Sequence, residues 1–515
     1  MRSSQWRSRT GAPAAVLPRG GTPAAAVLIV LLAGLAAGIV PCPAAAQSAA
    51  APGINVSSIS TPLPSAPAPQ TLLGGASPYQ GSVPAGEASG ETLQLSLAEA
   101  LRLGMERNLG LIDRGLDSRL AQADRERSLS SLLPQLSGAV RQWSGELSLV
   151  TFGFKFPGIP EIIGPFSYQD ARVTLTQQLF NLQSLRDFQS NREAARAADL
   201  TLADARDLVV VAVGAAYYQV VSSAARVETA QAQLNAARSL EELAINQVSS
   251  GLSPAIDRFR STVERQSDEQ RLAVYRAQLE KDKLTLGRMI GLPAGQRLAL
   301  TTPVPYVPWS GPQQDEALRL AAAGRRDLRS AEAALRSAEL AKQAAEAERL
   351  PSLAVEGDYG RIGHNLSNTD GTYTLTAGLS VPIFEGGRIR SEVARTDAKL
   401  ERRRAELASL RGQVDYEVRS GFLDLQAAQT SVEVAQKNVD LAAQTLAQAK
   451  DRFANGVTNN VEVVLAEQEV AAANENYIAS LFIHNYTKLA LLRAMGRVEE
   501  GIKQFLNEQA SGRTQ

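Results

Sequence analysis

The sequence predicts a mainly α protein with a smaller β component, built as a tandem duplication of long coiled-coil helices and strand pairs. Three observations predict it. Glu99-Ala100-Leu101-Arg102-Leu103 returns as Glu316-Ala317-Leu318-Arg319-Leu320, an offset of 217 residues. Val432, Ala435, Val439, Ala442, Leu446, Ala449 and Phe453 are spaced alternately 3 and 4 apart, which is a coiled-coil seam. Tyr373, Leu375, Ala377, Leu379, Val381 and Ile383 alternate with Thr372, Thr374, Thr376, Gly378 and Ser380, the period of a β-strand.

At the N-terminus, Arg2, Arg7, Arg9 and Arg19 precede an apolar run from Ala24 to Val40, and no acidic residue occurs before Glu87. Ala44-Ala45-Ala46 then supplies a small-x-small cleavage pattern, so residues 1–46 read as a signal peptide cut before Gln47. An uncleaved anchor, or lipidation at Cys42, the only cysteine, are the alternatives. Residues 47–92 are rich in Pro, Ala and Ser and read as a flexible segment, because they hold too little apolar surface to offset ordering.

The first repeat is expected at 93–296 and the second at 313–496, joined by a linker at 297–312 and followed by a polar tail at 497–515. Each repeat opens with a helix, about Leu95 to Leu132 and Gln314 to Glu348, stopped by Pro134 and Pro351. A strand pair follows. Val173, Leu175, Gln177 and Leu179 alternate in the first copy as Tyr373 to Ile383 do in the second. Ten of the 26 aromatic residues fall in 134–180 and 351–384, where even spreading gives about four; this is the pattern of interfacial girdles on membrane barrels.

A very long helix comes next, about Leu185 to Val248 and Ile389 to Phe453. The first copy repeats the seam as Val227, Ala230, Leu234, Ala237, Glu241, Ala244 and Val248, with Glu241 its single breach. Turns at 249–254 and 454–459 lead to return helices ending near Ile290 and Met495, where Gly291 and Gly496 are stop signals. In this half the offset is 205, as in Lys283-Leu284 and Lys488-Leu489. The first copy therefore holds about 12 extra residues between Pro134 and Val213.

Four strands cannot close a barrel, and lipid leaves no backbone polar group unpaired, so a membrane reading demands a dimer of 8 strands or a trimer of 12. The equal totals of 53 basic and 53 acidic residues give no footprint for nucleic acid. His364, expected in a loop, and His484, in the last helix, have no ligand spacing with a partner, and no catalytic motif or cofactor site is found.

Leu133-Pro134-Gln135-Leu136 before a strand, Val381-Pro382-Ile383-Phe384-Glu385-Gly386-Gly387-Arg388 before a long helix, and Gly turns at the far tips, all within the duplication, resemble the TolC-like outer-membrane efflux proteins over about 93–500. The resemblance implies a homotrimer, with a 12-stranded β-barrel in the outer membrane continuous with a periplasmic α-barrel. It also implies docking onto a periplasmic adaptor of an inner-membrane pump, without catalysis. The tip turns Gly251-Leu252-Ser253 and Gly456-Val457-Thr458 would be the adaptor-docking residues. Asp257 and Glu462 match acidic positions of the family and would be the pore-entrance residues, with Glu462 forming a ring there; a solvated carboxylate at a helix start is the alternative for Glu462. A basic residue stands at the position of Thr458 in some members and an acidic one at Leu465, so a salt-bridge lock at the tip is not expected here. Small-molecule efflux is the expected role. A type I protein secretion channel and a coiled-coil structural protein without a pore are the alternatives.

Overall fold

A computed structural model describes residues 78–155, 157–302, 305–365, 367–455, 457–458, 460–498 and 501. The expected signal peptide, the Pro-rich segment as far as 77, Phe156, Gly456 and the tail from 502 lie outside the described residues. The two repeats are visible as two runs of the same elements. The first comprises β1 (Leu93–Leu95), α1 (Leu97–Arg107), α2 (Leu109–Ser130), β2 (Gln135–Ser148), β3 (Ile162–Phe180), α3 (Leu182–Ser249) and α4 (Ala255–Met289). The second comprises β4 (Leu298–Leu300), α5 (Gln314–Gly324), α6 (Arg326–Ala347), β5 (Ser352–Asn365), β6 (Asn368–Ser380), α7 (Arg388–Ala454) and α8 (Asn460–Ala494). Parallel pairing of β1 with β4 ties the repeats together.

The long helices match their expected bounds closely. At 68 and 67 residues, α3 and α7 each span ~100 Å at 1.5 Å per residue. Their seam is real. Val432, Ala435, Ala449 and Phe453 are buried in α7, as are Ala230, Leu234, Ala237 and Ala244 in α3. The breach at Glu241 is answered from the return helix, where Arg265 Nε lies 2.7 Å from its carboxylate. One stretch of α3 is long and apolar enough to cross a membrane, but 61% of it is buried inside the protein. There Val209, Val213 and Tyr217 form the main core with Leu95, Leu101 and Leu286.

Four expectations are corrected. The opening helix of each repeat is broken, at Asn108 and at Arg325, which share one extended backbone geometry (φ −65°, ψ 125° and φ −63°, ψ 125°). Asn108 caps α2 by accepting from Leu111 N and donates to Tyr79 O at 2.6 Å. Residues 79–85, expected to be flexible, are pinned there: Val83 N donates to Arg107 O and Ala85 N to Gly291 O. β6 stops at Ser380, so Val381 and Ile383 leave the sheet; Pro382 has no N–H to give the ladder, and Gly386 and Gly387 turn the chain at φ 58° and 89°. His364 lies within β5, not in a loop.

The sheet runs β2-β3-β5-β6, antiparallel throughout. All four connections to helices leave one end, and the hairpin turns lie at the other. The extra residues of the first copy lengthen its hairpin: β3 has 19 residues against 13 in β6, and residues 162–168 reach past the last β3–β5 pair.

Candidate functional site

The chain presents two candidate sites at opposite ends, the helical tips and the sheet. At the first tip, Gly251 (φ 69°) reverses the chain with a positive φ that suits glycine. Leu252 N and Ser253 N both donate to Gln247 O, at 2.8 and 3.3 Å, closing the end of α3. Leu252 is left 79% exposed. At the second tip Val457 N donates to Arg452 O at 2.9 Å, and Val457 is 69% exposed. Exposed Ile256, Phe259, Val263 and Leu465 extend this apolar surface up the return helices, with Arg258 lying 5.0 Å over the Phe259 ring.

The two acidic positions have different surroundings. Asp257 is buried, 3.6 Å from Arg260, and its carbonyl accepts from Asn460 Nδ2 at 3.1 Å. Asn460 is wholly buried and also donates to Ser261 Oγ at 2.7 Å, so one side chain fastens the start of α8 to the start of α4. Glu462 is part-exposed. It accepts from Arg452 Nη1 at 2.7 Å and from the Thr458 hydroxyl. Thr458 thus anchors Glu462 with no charge of its own, while the cation comes from α7. Sequence reasoning singled out neither Asn460 nor Arg452. The only signal was an Asn at the first position of α8, and Arg452 lies on the preceding helix.

Above the tips, a cavity of about 200 Å³ between α3, α4, α7 and α8 is lined by Glu264, Asp268, Arg271 and Glu467. Burial pushes the Asp268 and Glu467 carboxyls up, against the opposing charges of Arg271 and Lys450.

At the other end, the sheet has two faces. Directly paired residues share a face. One face carries Leu136, Leu175 and Leu375 in one row, then Val173, Tyr359 and Tyr373, then Val140 and Ala171. Leu375 is 74% exposed and Tyr373 80%. Near the hairpin end this face turns polar, at Arg361, Gln142 and Gln169. Towards the helix end the same face continues with Val355 and Ala377, then Leu353 and Leu379, so the apolar zone runs over about nine residues of β6, from Gly371 to Leu379, the length that spans a membrane when tilted. On the other face stand Thr174, Thr374, Thr376, Asp170 and Arg172, with Arg172 paired to Asp170 and Asp358. The outer edges of β2 and β6 have no strand partner among the described residues.

The protein family described as Outer membrane efflux protein matches residues 113–292 and 317–497. The pyoverdine export outer membrane protein OpmQ of Pseudomonas aeruginosa is 22% identical over 319 residues, 60% of this chain and 65% of OpmQ. The toluene efflux pump outer membrane protein TtgF of Pseudomonas putida is 28% identical over 285 residues, 52% of this chain and 57% of TtgF. The chain therefore spans less than two thirds of the length of these curated relatives. Among solved structures, the fold is similar to VceC from Vibrio cholerae, with TM-score 0.68 and 16% identity over 78% of this chain and 96% of VceC. It is equally similar to the Neisseria gonorrhoeae MtrE outer membrane channel in its open state, with TM-score 0.67 and 17% identity over 81% and 95%.

Proposed function

Since the chain belongs to the outer membrane efflux protein family, we propose that three copies assemble into an outer-membrane channel that docks to a periplasmic adaptor and inner-membrane pump and exports small molecules. The chain resides in the outer membrane of a Gram-negative-type bacterium, with its helices extending into the periplasm. One observation carries the assembly: a four-stranded sheet with two open edges and one exposed apolar face. In lipid those edges must be paired, and four strands are too few to close. Three copies give 12 strands, each β6 edge meeting the β2 edge of the next copy.

The helices support the same closure. Exposed apolar residues run along α7 (Tyr416, Leu423, Leu441) and α4 (Val263, Val274, Leu284). Neighbouring copies would cover them. With apolar rows facing lipid, the polar rows face a lumen. The pore entrance lies at the tips, where Glu462 faces it and Gly251, Leu252, Ser253, Gly456, Val457 and Thr458 take the adaptor. Asp257 acts beneath them by holding Asn460. The names of OpmQ and TtgF, pyoverdine export and toluene efflux, support small molecules as cargo. The chain is a conduit, and the partner pump supplies the energy.

The test is a Thr458→Cys variant carrying a photo-crosslinker in living cells, with captured proteins identified by mass spectrometry. Capture of an adaptor that serves a proton-driven pump is expected. Capture of an adaptor from an ATP-driven exporter would shift the cargo to protein secretion. No adaptor and no outer-membrane trimer would overturn the channel.

A further inference from the structure

The aromatic residues of the strands divide between the two faces. Tyr359 and Tyr373 lie opposite one another in the apolar rows, as a girdle requires. Trp143, Phe166 and Tyr168 do not. Trp143 pairs with Tyr168 and Gly145 with Phe166, two and four residues along from Arg141 and Asp170, so all three rings stand on the polar face. They touch: ring centroids are 5.0 Å apart for Trp143 and Phe166, and 5.5 Å for Trp143 and Tyr168, whose planes meet at 27°. Gly145 leaves the indole its place, since a Cβ there would fall 2.8 Å from the ring. His364, the extra residue where the β5–β6 pairing is irregular, reaches the same hairpin, its Nδ1 3.0 Å from Ser167 O.

Immediately below the rings, Asp170 and Asp370 stand on either side of Ile362 in one row. From Glu356 up to the rings, this face carries four carboxylates (Glu356, Asp358, Asp170, Asp370) against two guanidiniums, Arg141 and Arg172. An aromatic surface above an excess of negative charge attracts one ligand class on two counts. Ring faces attract cations through their quadrupole, and flat rings stack.

We propose that Trp143, Phe166 and Tyr168, with Asp170 and Asp370, form a binding site for aromatic organic cations at the outer mouth of the pore. The inference rests on the channel reading, because the polar face borders a lumen only when copies close the sheet. Three copies place three such clusters around the exit, where an exported cation pauses before release. A neutral ring of the same shape gains the stacking alone, and an aromatic anion is repelled.

The chain has three tryptophans, Trp6, Trp143 and Trp309. Replacing Trp6 and Trp309 by Phe in the full chain makes Trp143 the sole indole reporter. The purified protein in detergent is titrated at pH 8 with N-methylacridinium, a cation, and with acridine, its neutral counterpart. Saturable quenching is expected, with apparent affinity about tenfold higher for the cation. Asp370→Asn is expected to shrink that preference several-fold while leaving acridine unchanged; Asp170→Asn repeats the measurement at the second carboxylate. Trimer state and single-channel conductance are recorded on the same samples. Linear or equal quenching by both probes, with trimer and conductance intact, overturns the site and leaves the channel standing. Quenching of Trp143 by brominated lipid in liposomes places the ring in the bilayer and also overturns it. Loss of trimer and conductance from the otherwise unmodified reporter protein overturns the channel reading on which the site rests.

Discussion

At the scale of single residues, His484 is the most exceptional group in the helical part. It is wholly buried in α8, neither ring nitrogen has a hydrogen-bond partner among the described residues, and its ring packs against Tyr306 with centroids 4.9 Å apart. Lys488, one turn on, donates to Val307 O at 2.8 Å, so the linker is fastened to α8 beside the imidazole. Glu433 is the acidic group acting on Tyr306. Burial, with the Lys488 charge, lowers the His484 pKa from 6.5 to about 4. The folded value lies below the unfolded one, so above pH 6.5 both states are neutral and nothing is lost. As pH falls from 6.5 towards 4, the unfolded chain takes up a proton that the folded chain refuses, and stability drops. His484→Phe keeps a ring against Tyr306 and leaves no polar atom orphaned. Unfolding midpoints measured from pH 7.5 to 4.5 are expected to fall less steeply for the variant than for the parent, with the variant no less stable at pH 7.5. An identical slope in both proteins would remove His484 from the acid response. Asp268 and Glu467 act in the opposite sense: their raised values make acidification relieve a burial cost, so subtracting the variant curve from the parent isolates the histidine.

Elements show where the repeats hold one geometry with different chemistry. The break in the opening helix falls at equivalent positions, yet Asn108 is a neutral cap while Arg325, 2% exposed, bonds to Asp327 and Glu417. Burial raises the Asp327 carboxyl, and the Arg325 bonds and charge outweigh it, holding the group below its usual range. Truncating a buried ion-pair partner strands the carboxylates, so Arg325→Ala is expected to cost ~3–5 kcal/mol. Asn108→Ala, losing a cap, is expected to cost ~1–2 kcal/mol. Denaturant titrations of the two variants check the order, and a larger loss for Asn108→Ala would contradict it. These breaks explain what the sequence could not convey. Apolar spacing and Pro134 and Pro351 marked where helices lie and stop, but neither Asn108 nor Arg325 is a helix breaker by propensity. Beside the local bonds to Leu111 N and Asp327, each break is held by a distant partner, Tyr79 O for one and Glu417 for the other. The same holds at the tips. The glycine at 251 announced its turn through local geometry, whereas Asn460 became visible only when α4 and α8 came together. Strand alternation was legible for Val173 to Leu179, but the concentration of aromatics did not tell Tyr373 on the apolar face from Trp143 on the polar one.

For the whole molecule, the decisive question is how the two open sheet edges are paired, because edge geometry fixes copy number and faces together. Any β2–β6 contact between copies must keep the side-chain period of 2, since a one-residue slip would turn apolar rows into the lumen. Ser137 on β2 shares the polar face with Thr174 and Thr374, whereas Tyr373 and Leu375 share the apolar one. Ser137→Cys is therefore combined in turn with Cys at positions 372 to 376 of β6, and oxidation is followed on denaturing gels. A disulfide needs Cα atoms within ~7 Å, so only one or two positions are expected to react. The expected partners come from Thr372, Thr374 and Thr376, and never from Tyr373 or Leu375. Single-cysteine variants control for Cys42. The largest covalent species reports copy number directly: three chains for a 12-stranded barrel, two for one of 8. Equal reaction at both parities would mean that the edges meet without a fixed register, which a sheet with one lipid face cannot tolerate, and a ladder ending at two chains would replace the trimer by a dimer. Trimers at one parity would join the polar rows of three copies into a continuous lumen wall, from the Arg172 cluster up to Trp143.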